Sequence, residues 1–269
     1  MSDTYPPEAE ESARLRPISE FLVALRFLTR LPVPFVRTVD PVPLAIAMRA
    51  FALAGAVIGA VIGLVLEGAH HLHLPGLMAA GLALGFGLFI TGALHEDGLA
   101  DTADGLFGGQ TRERRLEIMR DSRIGSYGAS ALVLAFLMKA GAYQTLLALP
   151  FGQVVLILAA TGAFSRTMVV DMMWATRPAR TDGLSASAGR PSRNTGLVSI
   201  FLGGALSVLA GWEIDPLSGF VAMAVGVMIT GLMRRLATRL LGGQTGDICG
   251  AVQVLVEIGM LASYLASFH

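Results

Sequence analysis

Residues 75–109 read PGLMAAGLALGFGLFITGALHEDGLADTADGLFGG, an uncharged apolar run that ends in four acids, Glu96, Asp97, Asp101 and Asp104. A helix needs roughly 20 predominantly apolar residues to cross a bilayer. The first part of this stretch supplies them, and the acids stand where that helix should leave the membrane. Such a placement asks for a reason, because intramembrane and near-membrane acids are costly and are retained for function.

The whole chain follows the same pattern. Of 269 residues, 54% are hydrophobic and only 15% are charged, against about 25% charged in an average soluble domain. The formal net charge is zero, so nothing favours nucleic acid as a partner. The single cysteine, Cys249, excludes an internal disulfide and a multi-cysteine metal site. Besides 75–97, apolar segments at about 44–66, 126–147, 152–174, 196–212, 217–234 and 249–266 predict a polytopic, all-α transmembrane bundle of about seven spans. Small residues, as in LAGAVIGAVIG (53–63), allow such helices to pack closely in lipid.

Residues 1–16 are polar and acidic and predict a disordered tail, leaving 17–269 as one integral-membrane domain. Within it, 17–30 (PISEFLVALRFLTR) places Ile18, Phe21, Leu22, Leu25 and Leu28 at helical spacing among Glu20, Arg26 and Arg30. It is too short and too charged to span, and predicts an interfacial amphipathic helix ended by Pro32 and Pro34. The alternative is a cytosolic helix packed on the bundle.

The basic residues predict the orientation. Arg14, Arg16, Arg26, Arg30, Arg37 and Arg49 precede or open the first span, and Arg112, Arg114, Arg115, Arg120 and Arg123 follow the second. Arg177, Arg180, Arg190 and Arg193 follow the fourth, and Arg234, Arg235 and Arg239 end the sixth. The intervening loops 67–74, 148–151 and 213–216 contain no Lys or Arg. Basic loops stay in the cytoplasm, so the expectation is a bacterial inner-membrane protein with the N-terminus and the acidic motif cytoplasmic and the C-terminus periplasmic.

On a helix, Asp97, Asp101 and Asp104 stand at i, i+4 and i+7, in one stripe. Like charges at this spacing repel, which points to a bound cation. Hard oxygen ligands at a wet site suit Mg²⁺, which takes one or two carboxylates together with substrate phosphates. Gly105, Gly108 and Gly109 would let backbone approach a bulky ligand, and His95 could be a base, a ligand or a polar anchor. Arg120, Asp121 and Arg123, just before the third span, are the preferred phosphate-site candidates, because guanidinium forks bind phosphate oxygens in pairs. Arg112, Arg114 and Arg115 fit ordinary positive-inside charge. Further along, Arg166 and Asp171, ARTDG (179–183) with Arg180, QTGD (244–247) with Gln244 and Asp247, and Glu257 complete the polar inventory. Arg166 and Glu257 could form a structural pair or serve the site; Lys139 is set aside as a residue that snorkels or pairs.

Acids for a metal and arginines for phosphate predict phosphoryl-group chemistry at the bilayer surface. The alternatives are an ion-coupled transporter and a CDP-alcohol phosphotransferase, whose motif fits Asp101–Gly105 and then fails at Gly108, Gly109, Ile118 and Ser122.

FLTRLPVP (27–34), HEDGLADTADGLFGG (95–109), IMRDSRIGSYG (118–128), ARTDGL (179–184) and GGQTGDICGA (242–251) resemble, in order, the motifs of the cobalamin synthase family, adenosylcobinamide-GDP ribazoletransferase. The resemblance implies a multi-pass, Mg²⁺-dependent inner-membrane enzyme. It would join adenosylcobinamide-GDP to α-ribazole or its 5′-phosphate and release GMP. It also implies that Asp97, Asp101, Asp104 and Asp247 bind the metal and that lipid surrounds the chain; a homo-oligomer is left open. One departure is visible, since many members carry Glu where this chain has Val254.

The orientation is testable by single-cysteine labelling at positions 70, 149 and 214 in a cysteine-free background. Labelling by an impermeant reagent added from the periplasmic side is expected at all three. Labelling only after the inner membrane is permeabilised would reverse the orientation.

Overall fold

The computed structural model describes residues 16–32 and 42–267. Residues 1–15 of the expected N-terminal tail, Pro34, Arg37 and the last two residues of the sequence lie outside the described residues. Among the described residues the chain is α-helical throughout, with one isolated bridge between Pro178 and Gln244.

The chain opens with α1 (Pro17–Leu28), α2 (Leu44–Ala47) and a 3-10 turn, Met48–Ala50, that leads into α3 (Phe51–His71). Next come α4 (Gly76–Thr91), α5 (Leu94–Gly108), α6 (Arg112–Ile118), α7 (Ser126–Leu146) and α8 (Phe151–Ala175). The remainder is α9 (Leu184–Ala188), α10 (Arg193–Trp212), α11 (Ser218–Leu241) and α12 (Gly246–Ala266). Six segments are long and apolar enough to cross a membrane alone: Leu44–His71, α7, α8, α10, α11 and α12. The pair α4–α5 makes a seventh if counted as one.

That pair departs from the sequence expectation. The span expected at 75–97 stops at Thr91, and the chain then turns by 91° into α5. Gly92 sits at φ +66° and Ala93 at φ +55°, the left-handed geometry that ends helices and that glycine adopts at no steric cost. The Arg30 side chain lies against Gly92 where a Cβ would be, and the Arg30 amide donates to the Ile90 carbonyl at 2.7 Å. α1 therefore braces the bend. It also packs on α2 and the start of α3, with Ala24 and Leu28 buried and Glu20 paired to Arg49 at 3.3 Å.

The rest of the bundle is fixed by small residues. α3 and α8 run antiparallel in close contact: a Cβ on Gly55 would meet the Gly162 backbone, and one on Gly59 the Leu158 backbone. No hydrophobic drive separates helix from lipid, so such close approach and its dispersion contacts supply the association. α8 and α12 are the most enclosed spans, while α7 and α11 turn most of their surface outward.

The helix ends sort into two groups. At one end, His71 stacks on Phe151 with ring centres 6.3 Å apart, Gly76 meets Gln144, and Gln153 donates to the Glu213 carbonyl at 3.1 Å. The loops there, 72–75, 147–150 and 213–217, contain no Lys or Arg. At the other end lie α5, α6, α9, the start of α7 and of α12, and every motif in the acidic and arginine-rich blocks.

The packing makes a sharp comparison. Gly59→Ala should force α3 from α8 and lower stability in detergent by roughly 2 kcal/mol, an ordinary overpacking cost. Gly85→Ala, which has nothing within 4 Å of its Cβ position, should leave the melting temperature nearly unchanged. Equal melting of both variants would reject this packing.

Candidate active site

α5 carries the acids and is positioned by three contacts. It crosses the first turns of α12 at Gly98 and Gly250, where a Cβ on Gly98 would lie 2.8 Å from the Asp247 carbonyl oxygen and 3.1 Å from the Gly250 Cα. Its far end is tied to α7: the Asp104 carboxylate accepts from the Gly125 amide at 2.7 Å and the Gly128 amide at 2.8 Å. Asp104 thus caps α7 from outside, satisfying two amides that a helix start leaves open. Its near end is tied to the bundle interior through Glu96, whose Oε1 lies 3.7 Å from the Lys139 ammonium.

This places Asp97, exposed, and Asp101, half-buried, beside Asp247 at the start of α12. Asp101 interacts electrostatically with Asp97, Asp247 and Asp104, and with one cation, Arg180. Arg180 reaches Asp247 with Nη2 at 3.5 Å, while its buried Nη1 has no hydrogen-bond partner. A half-buried guanidinium with unused donors, facing a surplus of carboxylates, is suited to hold an anionic ligand together with a cation.

The blocks from distant sequence are locked together by main-chain bonds. Ala179 donates to the Gln244 carbonyl at 2.7 Å, and Gln244 donates to the Arg177 carbonyl at 2.9 Å. Arg112 staples the same junction, donating from Nε to the Leu241 carbonyl and from Nη2 to the Ala179 carbonyl, both at 2.7 Å. The sequence pattern presents Arg112 as ordinary positive-inside charge; its structural role depends on carbonyls more than 60 residues away.

Several expected site residues have other work here. Gln244 is buried, and its backbone joins the two blocks. The space that Gly105 and Gly109 free is filled by Met119 and Arg115 of the chain itself, so these glycines serve α5–α6 packing; Gly108 is exposed. Arg123 pairs with Asp121 two residues away and points to solvent, and its hydrogen bonds hold the Asp121 carboxyl below its ordinary range, at about 2. Arg120 pairs with Asp182 in the ARTDG block at 2.7 Å. Asp171 pairs with Arg234, so Arg166 and Asp171 do serve different neighbours.

Glu257 and Arg166 lie deep in the bundle. Glu257 is eleven residues into α12, about 16 Å from its start at 1.5 Å per residue. Its partners are Lys139 at 3.3 Å, Gln253 at 2.8 Å and Tyr143 at 3.5 Å, and Gln253 also reaches Ser165 at 3.1 Å. Arg166 donates to the Gly162 carbonyl at 3.0 Å, and its Nε is unpartnered. His95 lies on the face of α5 opposite the acidic stripe, buried and without a hydrogen-bond partner among the described residues. Glu257, Arg166 and their partners form an interior polar cluster, separate from the mouth, and His95 borders both that cluster and the space beside the start of α12. The intramembrane-charge rule singles out Lys139 as a charge that needs a partner, and the fold supplies Glu257.

Among the described residues no three His, Cys, Asp or Glu side chains close on one point as a preformed metal cage. The arrangement fits an ion held by one or two carboxylates, water and a substrate's phosphates, the usual mode for Mg²⁺.

A family model described as cobalamin-5-phosphate synthase matches residues 20–265. A protein of Azorhizobium caulinodans named adenosylcobinamide-GDP ribazoletransferase is 47% identical over 257 residues, covering 93% of this chain and 96% of the relative. Proteins of the same name from Bradyrhizobium diazoefficiens and Xanthobacter autotrophicus are 43% and 42% identical, each over 91% of this chain and 92% and 95% of their own lengths. No solved structure matches. With a match across nearly the whole bundle and every acidic and arginine block inside it, this chain belongs to the cobalamin-5-phosphate synthase family of membrane transferases.

Proposed function

We propose that the protein joins adenosylcobinamide-GDP to α-ribazole, or to its 5′-phosphate, and releases GMP, in a late step of cobalamin synthesis. The observation that carries this reading is the convergence of Asp97, Asp101 and Asp247 with Arg180, whose Nη1 has no partner among the described residues, at one mouth, in a chain whose relatives bear that name. The family disfavours the transporter and CDP-alcohol alternatives.

A ribose hydroxyl of the ribazole would attack the diphosphate phosphorus bearing the cobinamide arm. The bond from that phosphorus to the bridging oxygen breaks, and GMP leaves with the oxygen. Arg180 would bind a non-bridging oxygen of the diphosphate. Asp101, half-buried among like charges, or Asp97 would orient the hydroxyl and take its proton. Asp104, whose oxygens already hold α7, would keep α5 in place. Mg²⁺ held by Asp97, Asp101 or Asp247 would supply charge neutralisation on the diphosphate and the departing phosphate. His95 is turned away from this stripe and takes no part in proton transfer. The basic residues at the mouth end favour a cytoplasmic mouth in the inner membrane, with α1 at the interface and lipid around α7, α10 and α11.

In liposomes with Mg²⁺, the protein should form cobamide and GMP in equal amounts, and EDTA should stop it. Asp97→Asn and Asp101→Asn should melt like wild type but lose turnover, with the more important of the two falling on the order of 10²-fold. Asp104→Asn should lose stability as well, by roughly 1–3 kcal/mol, because a backbone amide loses its acceptor. Full turnover in EDTA, or full turnover of both Asn variants at position 97 and 101, would overturn the reading.

A further inference from the structure

A second cavity adjoins the mouth and has no role in the chemistry above. Phe27 and Leu28 of α1, Phe51 of α3, Val169 and Met173 of α8, and Ala188 of α9 form its apolar walls. Gly246 and Gly250 form its edge on α12, on either side of the turn that carries Asp247. The space is about 480 Å³ including its open mouth, with room for the centre of a water molecule over about 50 Å³.

Two polar side chains line this apolar space, His95 and Ser185. Both are more than nine-tenths buried, 5% and 7% exposed, and neither has a hydrogen-bond partner among the described residues. An apolar pocket with a few convergent polar groups is the usual form of a ligand site. Phe27 and Phe51 stack with centroids 5.8 Å apart, presenting flat, rigid surface to the cavity.

We propose that this cavity seats the aromatic base of the incoming ribazole, a flat, weakly polar bicyclic heterocycle with one ring nitrogen free to accept a hydrogen bond. The inference rests on the reaction proposed above. His95 or Ser185 donates to that nitrogen, and the apolar walls take the ring's hydrocarbon edge. The ribose then emerges past Gly246, beside Asp247 and the Arg180 guanidinium, where its hydroxyl meets the diphosphate. The cobinamide-GDP substrate, larger and highly polar, does not fit these walls and approaches from the open side of α5.

The test is steady-state kinetics with both substrates varied, alongside calorimetric binding of α-ribazole alone. Ala188→Leu fills the cavity and Ser185→Ala removes a donor without adding bulk. For Ala188→Leu, the KM for α-ribazole should rise about tenfold or more while that for adenosylcobinamide-GDP is unchanged. The same variant should discriminate less against the riboside of unmethylated benzimidazole. Ser185→Ala should weaken α-ribazole binding several-fold if it is the donor, and His95→Phe should do so if it is not. An unchanged α-ribazole KM in Ala188→Leu, or no loss of binding in either donor variant, would overturn the assignment. No turnover by the wild-type protein would instead reject the reaction itself, leaving the calorimetric comparison to judge the cavity.

Discussion

A lysine ammonium held between two carboxylates inside the bundle anchors the helix on which the site depends. Lys139 of α7 lies 3.3 Å from Glu257 of α12 and 3.7 Å from Glu96 of α5, with all three side chains about nine-tenths buried. Arg166 of α8 adds a second positive charge near both acids. Charge is therefore balanced within the cluster, which is the condition for ionised groups to persist away from water. Breaking such a set by removing one member leaves an uncompensated charge, and that asymmetry gives the cluster its hold on the fold.

From this anchor the geometry of the mouth follows. α5 leaves the bend at Gly92 with Glu96 drawn inward, crosses α12 at Gly98 and Gly250, and is fastened at its end where Asp104 caps α7. Asp97 and Asp101 are left facing Asp247 and Arg180. The two polar regions differ in character: the interior cluster balances two carboxylates with Lys139 and Arg166, while the mouth holds four carboxylates against one guanidinium. An imbalance of that kind at a wet surface has use for a cation and a phosphate.

The sequence showed the membrane bundle clearly, because length and apolar composition dictate spans and the arginine distribution distinguishes the two ends. The acidic stripe was equally legible, since i, i+4, i+7 spacing holds on any helix. The bend before it was not. An apolar run that continues to Leu94 reads as one span, and the turn rests on Gly92, Ala93 and the packing of Arg30. Nor could spacing show that Gly109 and Gln244 serve internal packing, or that Arg112 staples two remote carbonyls. Those roles are set by long-range contacts, which local pattern does not encode. Lys139 was visible as an intramembrane charge, but its two partners lie on helices that only the fold brings together.

The central claim is that the Lys139 clamp holds α5 in place, and a double-mutant cycle tests it most directly. Unfolding of Lys139→Met, Glu96→Met and the double variant would be followed by denaturant in the same detergent. The single Lys139→Met change should cost roughly 3–5 kcal/mol, the usual penalty for stripping the partner from buried charge. The double variant should recover part of that loss, giving a coupling of at least about 1 kcal/mol, because Arg166 then balances Glu257. Additive losses, within about 0.3–0.5 kcal/mol, would contradict the account.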